Sequence, residues 1–388
     1  MEKITCDGNE AAAHMSYMPC ELTPASFSIL LSDGILPLTT LTRTIHPVGQ
    51  GAFYSEIFNV RKKKFTAVYD CGSNNKDPLR LQIDEFNTVD LIFISHFHND
   101  HINGIKEIQQ KGKQNPLIII PGISHYAFVI DLISNYLHTG DTKCDSISFM
   151  LDCLPALASA NNANRQNQII IGQDRDWASR IIVAQEGVGP IGVPDPTDGS
   201  EDSFLWRYDA YFHKYDKTKE KELILQLSKR IPILAANQSD DFQDIEWYRD
   251  LIEGLSKLDL DDIKEVFTSI YKGNPNRYSM LVHSYPIDKC KKYMECLYTG
   301  DIMISQPVKT TIINIKPHYI QVPHHGSNNN YDESIYNKYQ IVFMSFGLNN
   351  SHEHPDKDTL IKLIQKCETV HVITENEGSK YKCRFKLK

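Results

Sequence analysis

The sequence predicts an α/β fold with sheets covered by helices, and three observations predict it. The run Val89 to Ile94 (VDLIFI) is almost continuously apolar, the pattern of a strand buried on both faces. A helix-like stretch over 102–110 and a second strand, Leu117 to Ile120, follow it, and strand, loop and helix alternating in this way argue for helix-covered sheets. Strand-like runs return late, at Tyr278 to His283, Glu295 to Tyr298, Thr311 to Ile315, Tyr319 to Val322 and Ile341 to Ser345, then at Thr369 to Thr374 and Tyr381 to Leu387 around a Glu-Gly-Ser turn.

Residues 1–40 show no clear periodicity and read as a leader or extension; residues 41–388 read as the principal domain. It opens with a strand, Leu41 to Val48, that runs into Gly49-Gln50-Gly51, followed by Phe53 to Val60 and Phe65 to Tyr69. Arg61-Lys62-Lys63-Lys64 between the last two is a solvated hairpin turn. From about 125 to 270 the pattern changes to mixed helix and loop, with a polar stretch at Asn161 to Asn167 and a turn-rich Gly187 to Ser200, and reads as a largely helical insertion or cap. Within it, the amphipathic pieces Glu222 to Lys229 and Asp244 to Leu258 are packing helices, because apolar periodicity is chiefly a core signal.

Composition sets outer bounds. A chain with 41% hydrophobic and 23% charged residues is globular rather than disordered. A formal net charge of −8 argues against whole-surface attraction to nucleic acid and favours a small or single-stranded substrate over tight duplex binding. Nine cysteines, an odd number without a C-x-x-C pair, fit a reducing compartment. The longest early apolar stretch, Ser28 to Leu41, is broken by Asp33, Gly34 and Pro37, so the expectation is a cytoplasmic protein without a membrane anchor.

The chemistry concentrates after the buried strand, where His96, His98, Asp100 and His101 occupy one short turn. Imidazole nitrogen and carboxylate oxygen suit zinc, with manganese or iron as alternatives, and one such segment can serve two ions. A lone histidine such as His46, His125 or His213 reads as a hydrogen-bonded structural residue, but so dense a cluster at a strand terminus has few structural uses. Further ligands must come from elsewhere. Asp301 follows a strand-like run and a glycine (Tyr298-Thr299-Gly300-Asp301), where a carboxylate can bridge two cations about 3.5–4 Å apart. His283 stands at the end of the Tyr278 to Val282 strand, and further histidines follow later strands in Pro323-His324-His325-Gly326-Ser327 and Ser351-His352-Glu353-His354-Pro355.

HFHNDH at 96–101, TGD at 299–301, PHHGS at 323–327 and His354-Pro355 resemble the metallo-β-lactamase superfamily. More narrowly, VGQG at 48–51, DCGS at 70–73, NRYSMLVHS at 276–284 and HHGS resemble the hydrolase domain of ComEC-type DNA-uptake proteins and their soluble relatives, over about 41–120 and 270–388. The resemblance implies an αββα sandwich with two metals at the edge between the sheets. It assigns His96, His98 and His283 to one metal, Asp100, His101 and His354 to the other, and Asp301 to both. It prefers His354 over His325 as ligand, with His352 a further alternative, and turns His324 and His325 toward the substrate.

The reaction expected is hydrolysis by a water activated between two ions, with Asp100 orienting the nucleophile and His324 or His325 serving the oxyanion or leaving oxygen. The resemblance favours a phosphodiester, in single-stranded nucleic acid or a smaller molecule. A lactone, thioester or β-lactam hydrolase is the second enzyme class, and a metal-bearing binding or regulatory module is the non-enzyme alternative. Substrate contacts are expected from Ser327 and from Arg207, which lies in the aromatic run Trp206 to Phe212, although a packed aromatic cluster also explains that run.

Overall fold

A computed structural model describes residues 39–60, 63–111, 116–160, 169–170, 181–184, 191–194, 204–212, 217–236, 239–270, 278–350 and 353–387. The leader up to residue 38, Arg61, Lys62, Asn161 to Asn167, His213 and His352 lie outside them.

The chain begins with β1 (Thr40–Ile45), β2 (Gly51–Val60) and β3 (Lys63–Ser73), an antiparallel meander in which Val60 pairs with Lys63 at the hairpin end. Helix α1 (Lys76–Ile83) leads to β4 (Leu91–Phe93), the short α2 (Asn99–Ile102), α3 (Ile105–Lys111) and β5 (Leu117–Pro121). Two long helices follow, α4 (His125–Thr139), capped where the Ser124 hydroxyl accepts from the Ala127 amide, and α5 (Asp145–Ala160). Next come β6 (Ile169–Ile170), β7 (Ile181–Ala184), β8 (Ile191–Pro194) and β9 (Phe204–Tyr211), then α6 (Thr218–Ser228), α7 (Pro232–Ala236), α8 (Ile245–Leu255) and α9 (Leu260–Ile270). The last part contains β10 (Leu281–Pro286), β11 (Cys296–Tyr298), α10 (Gln306–Ile315), β12 (Tyr319–Gln321), β13 (Ile341–Ser345), α11 (Lys357–Lys366), β14 (Thr369–Ile373) and β15 (Tyr381–Lys386).

These strands form two sheets, β15-β1-β2-β3-β4-β5-β7 and β14-β13-β12-β11-β10-β9-β8-β6. The pleat sorts their side chains into three cores. Leu91 and Phe93 of β4 and Val282 of β10 face the inter-sheet core with Tyr54, Phe58, Trp206 and Tyr298. Ile92 turns the other way, onto the helices that carry Phe128, Leu132, Leu227 and Tyr248. Leu281, Ile320 and Val342 pack outward against Val308 and Ile312 of α10 and Leu363 of α11. Helix, sheet, sheet, helix is the αββα sandwich expected from the sequence.

Two expectations about elements change. The 125–270 segment is largely helical, yet β6 to β9 run through it and join the sheets, with β9 hydrogen-bonded between β8 and β10. Thr311 to Ile315, expected as a strand, completes α10 instead. Val308 and Ile312 are buried one turn apart on it, and that packing outweighs the β-branched composition. No helix among the described residues is long and apolar enough to cross a membrane.

His46 and His125 are structural, as lone histidines should be. The His125 Nδ1–H donates to the Ser239 carbonyl at 2.9 Å. The Gln82 amide donates to Glu377, so Gln82 Oε1 accepts from the His46 Nδ1–H at 3.2 Å, and His46 Nε2 accepts from the Ser55 hydroxyl at 2.8 Å. Burial lowers the His46 pKa to about 3, against an ordinary value of 6.5. The folded state therefore binds fewer protons than the unfolded one below pH 6.5. The neutral ring's contribution is complete above that pH and is lost as the pH falls toward 3. Urea unfolding of wild type and His46→Gln at several pH values tests this. The variant is expected to be less stable at pH 7.5, and below pH 6 the gap should shrink by about 1 kcal/mol per pH unit. A pH-independent gap would contradict a buried neutral imidazole.

Candidate metal centre

The C-terminal ends of the parallel strands β3, β4, β11 and β12 open onto one edge of the sandwich, the edge at which open α/β sheets place ligands. Two glycines let the backbones close there. Gly300 has φ +53°, and a Cβ on it would meet Ser279 Oγ at 2.3 Å and Ser95 Cβ at 2.5 Å, one atom from each sheet's edge. A Cβ on Gly72 would lie 2.5 Å from the Asp100 carbonyl carbon and the His101 nitrogen, so β3 accepts the α2 turn only as glycine. The edges are also stitched directly. The Met280 amide donates across them to the Ser95 carbonyl at 2.8 Å, and within the second sheet the Asp301 amide donates to Ser279 Oγ at 3.1 Å.

Buried Asp70 organises the histidines. Its carboxylate accepts from the Ser95 amide at 2.7 Å, the Ser95 hydroxyl at 2.6 Å and His101 Nδ1 at 2.8 Å. With its own proton committed to Asp70, Ser95 Oγ accepts from the His96 Nδ1–H at 2.9 Å. The His325 Nδ1–H donates to the Ser345 carbonyl at 2.7 Å. All three rings therefore keep the proton on Nδ1 and turn the Nε2 lone pair inward. The Nε2 atoms of His96, His98, His101 and His325 are buried without a hydrogen-bond partner among the described residues.

Those of His96, His101 and His325 converge on Asp301. Its carboxylate lies 3.3 Å from His101 Nε2, 3.6 Å from His324 Nε2, 3.8 Å from His96 Nε2 and 3.9 Å from His325 Nε2. Asp100 reaches His325 Nε2 at 3.4 Å. Two overlapping triads, His96-His101-Asp301 and Asp100-His101-His325, each hold their ligand atoms within 4.8 Å of one another. Burial alone would raise Asp301, yet His101, His324 and His325 hold it well below the usual carboxylate range. Burial alone would lower His101 and His325, yet Asp301 and Asp100 beside them raise both, so a cation at these two Nε2 atoms would displace a proton. Burial, with His101 and His98 beside it, holds His96 well below the ordinary imidazole value, and burial brings His98 to about 4. Orphaned inward lone pairs beside ionised carboxylates are the donor set a divalent cation needs, so the residues fit a metal.

Two expected ligands lie elsewhere. His283 was expected at a strand end, but β10 begins at Leu281, so Ser279 and Met280 occupy the site edge. His283 faces away from the inter-sheet core, stacks on Tyr285 and lies 3.5 Å from Glu295. His354 is half-buried, with its ring 5.1 Å from that of His324 and 6.3 Å from that of His325, outside both triads. His325, unlike His354, falls within a triad, and the turn carrying it is held in the left-handed region, with φ +48° at His324 and +54° at His325. Ser327 is buried in the same turn, its amide donating to the His324 carbonyl at 2.9 Å. Arg207 alternates with Trp206 and Tyr208, which face the inter-sheet core, and its guanidinium lies over the Phe204 ring. The aromatic run around it is packing.

Sequence reasoning gave no role to Asp70, Ser95, Ser279 or Asn330. Asp70 lay within the quoted DCGS motif, but nothing in the spacing of residues 70 and 101 pairs them.

Comparison with known proteins gives a partial match. The family model described as Anti-Pycsar protein Apyc1 matches residues 45–152, which include the first ligand cluster. No curated protein matches the chain. Among solved structures, the short form of human tRNase Z (ELAC1) is 10% identical, with 86% of this chain and 92% of that one covered and a TM-score of 0.32. Unliganded yeast PDE1 is 8% identical, with 90% of this chain and 100% of that one covered and a TM-score of 0.38. Both superpose too loosely to transfer a residue's role.

Asp70→Asn tests the orientation of His101. An amide presenting N–H to Nδ1 would move the ring proton to Nε2 and close the lone pair. Metal affinity, measured by competition with a fluorescent chelator, is expected to fall about 10–100-fold. Unchanged affinity would show that Asp70 does not set the tautomer.

Proposed function

We propose that this chain is a metal-dependent hydrolase acting on phosphodiesters, with two divalent ions, zinc or alternatively manganese or iron, held by His96, His98, Asp100, His101, Asp301 and His325. The observation that carries the reading is the convergence of buried, outwardly anchored imidazoles on one carboxylate at the edge between the sheets. Bound there, such ions supply an activated water and polarise a phosphoryl oxygen. The match of residues 45–152 to the Anti-Pycsar family model is in keeping with a phosphodiester substrate. Kinship to the ComEC-type domain rests on short motifs alone.

The chain's own residues divide the remaining tasks. Asp301 belongs to the first triad and its carboxylate lies 3.9 Å from His325 Nε2 of the second, where one carboxylate could serve both positions. Asp100, on the first turn of α2, approaches from the side of His325 and is placed to orient the attacking water. His324 differs from the ligands in its neighbour. Asn330 donates to the carbonyls of Asp301 and Ile302 at 2.9 and 3.0 Å, which leaves its Oδ1 to accept the His324 Nδ1–H at 2.9 Å. A half-exposed His324 Nε2 beside Asp301 can then carry a proton to a leaving oxygen.

Three variants separate these roles. Asp301→Ala should abolish hydrolysis of bis-p-nitrophenyl phosphate and reduce bound metal. His325→Gln should lose metal with activity. His324→Gln should keep its metal while kcat falls about 10²–10⁴-fold. Full activity with two bound metals in Asp301→Ala would contradict the bridging role. A parallel screen with single-stranded DNA, RNA, cyclic nucleotides and a lactone assigns the bond. Turnover of the lactone alone would favour acyl chemistry, and no turnover by metal-loaded protein would favour a binding module.

A further inference from the structure

We propose that Asp131, on α4 of the helical segment, is the protein ligand that completes the metal position of His96 and His98, the place the sequence gave to His283. The inference rests on the reading of the cluster as a metal centre. Asp131 is completely buried, and its Oδ1 has no hydrogen-bond partner among the described residues. That oxygen faces His98 Nε2, which is equally unpartnered, at 3.8 Å. At this separation the two atoms are too far apart for a hydrogen bond and close enough to share a cation.

Three features show that the carboxylate is held in place. Its other oxygen, Oδ2, accepts from the Tyr278 hydroxyl, which fixes the plane of the group. Asn135, one turn further along the same face of α4, donates to the Phe97 carbonyl at 2.7 Å and so clamps the helix to the loop between His96 and His98. Phe97 and Phe128 pack edge to face beside that clamp. Asp131 also stands in an otherwise apolar run, Tyr126 to Ile133, where an acidic side chain has no packing use.

Electrostatics point the same way. No lysine or arginine lies within ion-pair distance of Asp131 among the described residues. A buried acid with no counter-charge is costly to ionise, and a divalent cation at His98 would remove that cost. A nearby helix of the inserted segment would thereby become part of the active centre, and metal loading would lock α4 against the ligand loop.

Asp131→Asn keeps the shape of the side chain and can donate a hydrogen bond to His98, but offers no anionic ligand. Full-length wild type and variant are freed of metal by a chelator and titrated with zinc, with circular dichroism to confirm folding. Wild type is expected to bind two ions, and the variant to bind one normally and the other about 100-fold or more weakly. Asp131→Cys loaded with cobalt(II) should show a sulfur-to-cobalt charge-transfer band, which reports the position of this side chain independently of activity. Two ions at unchanged affinity in Asp131→Asn, with no such band in Asp131→Cys, would overturn the inference and leave Asp131 a buried hydrogen-bonding acid. A wild type that binds no zinc would instead take down the reading of the whole cluster.

Discussion

A neutral imidazole offers a lone pair from one nitrogen only when its other nitrogen keeps the proton, and the site is organised around that constraint. Asp70, Ser95 and the Ser345 carbonyl each hold an Nδ1 proton or relay its hold, and the rings of His96, His101 and His325 are fixed with Nε2 inward. Asp70 does this from a left-handed backbone, φ +52°, which carries its carboxylate beneath the α2 turn. Such a conformation costs about 1–2 kcal/mol and persists where surrounding contacts over-determine it.

Orientation would be of little use if the two sheet edges could slide. Between the sheets, Glu56 accepts from Arg43 Nε at 2.7 Å, the Ser284 hydroxyl at 2.6 Å, the Tyr208 hydroxyl at 2.8 Å and the Tyr298 hydroxyl at 3.1 Å. Trp206 donates to Ser284 at 2.8 Å, and Arg43 also donates to the Met294 carbonyl at 2.9 Å. Arg43 and Glu56 belong to one sheet, and the other donors on Glu56 to the opposite one. A buried pair of this kind contributes little net stability, but a carboxylate so fully bonded admits one relative placement of the sheets. Tyr298 of that network leads within three residues to Asp301, so the register of the sandwich is transmitted to the metal edge.

The sequence exposed what is local. VDLIFI announced a strand buried on both faces, and HFHNDH marked the turn after it, because strand burial and ligand density each show within a few residues. Asp301 was legible because a glycine preceded it at a strand end. Which of the late histidines lie beside Asp301 was not legible. It depends on a one-residue matter of pleat at His283 and on left-handed backbone at His324 and His325, neither of which has a spacing signature. The β9 strand was also hidden, since alternation in FLWRYDAY reads equally as an aromatic cluster until its partners β8 and β10 are known. Asp131 left one trace, an acid in an apolar helix, but its nearness to His98 is a fact of tertiary packing.

The central claim is that these side chains form a metal centre with two positions that share Asp301. Anomalous diffraction from crystals grown with zinc, collected on either side of the zinc absorption edge, tests it most directly. Two peaks are predicted, one among His96, His98 and Asp301 and one among Asp100, His101, His325 and Asp301, about 3.5–4 Å apart. A map from fully loaded crystals with no peak at this edge, or with a peak at His283 or His354 instead, would contradict the account.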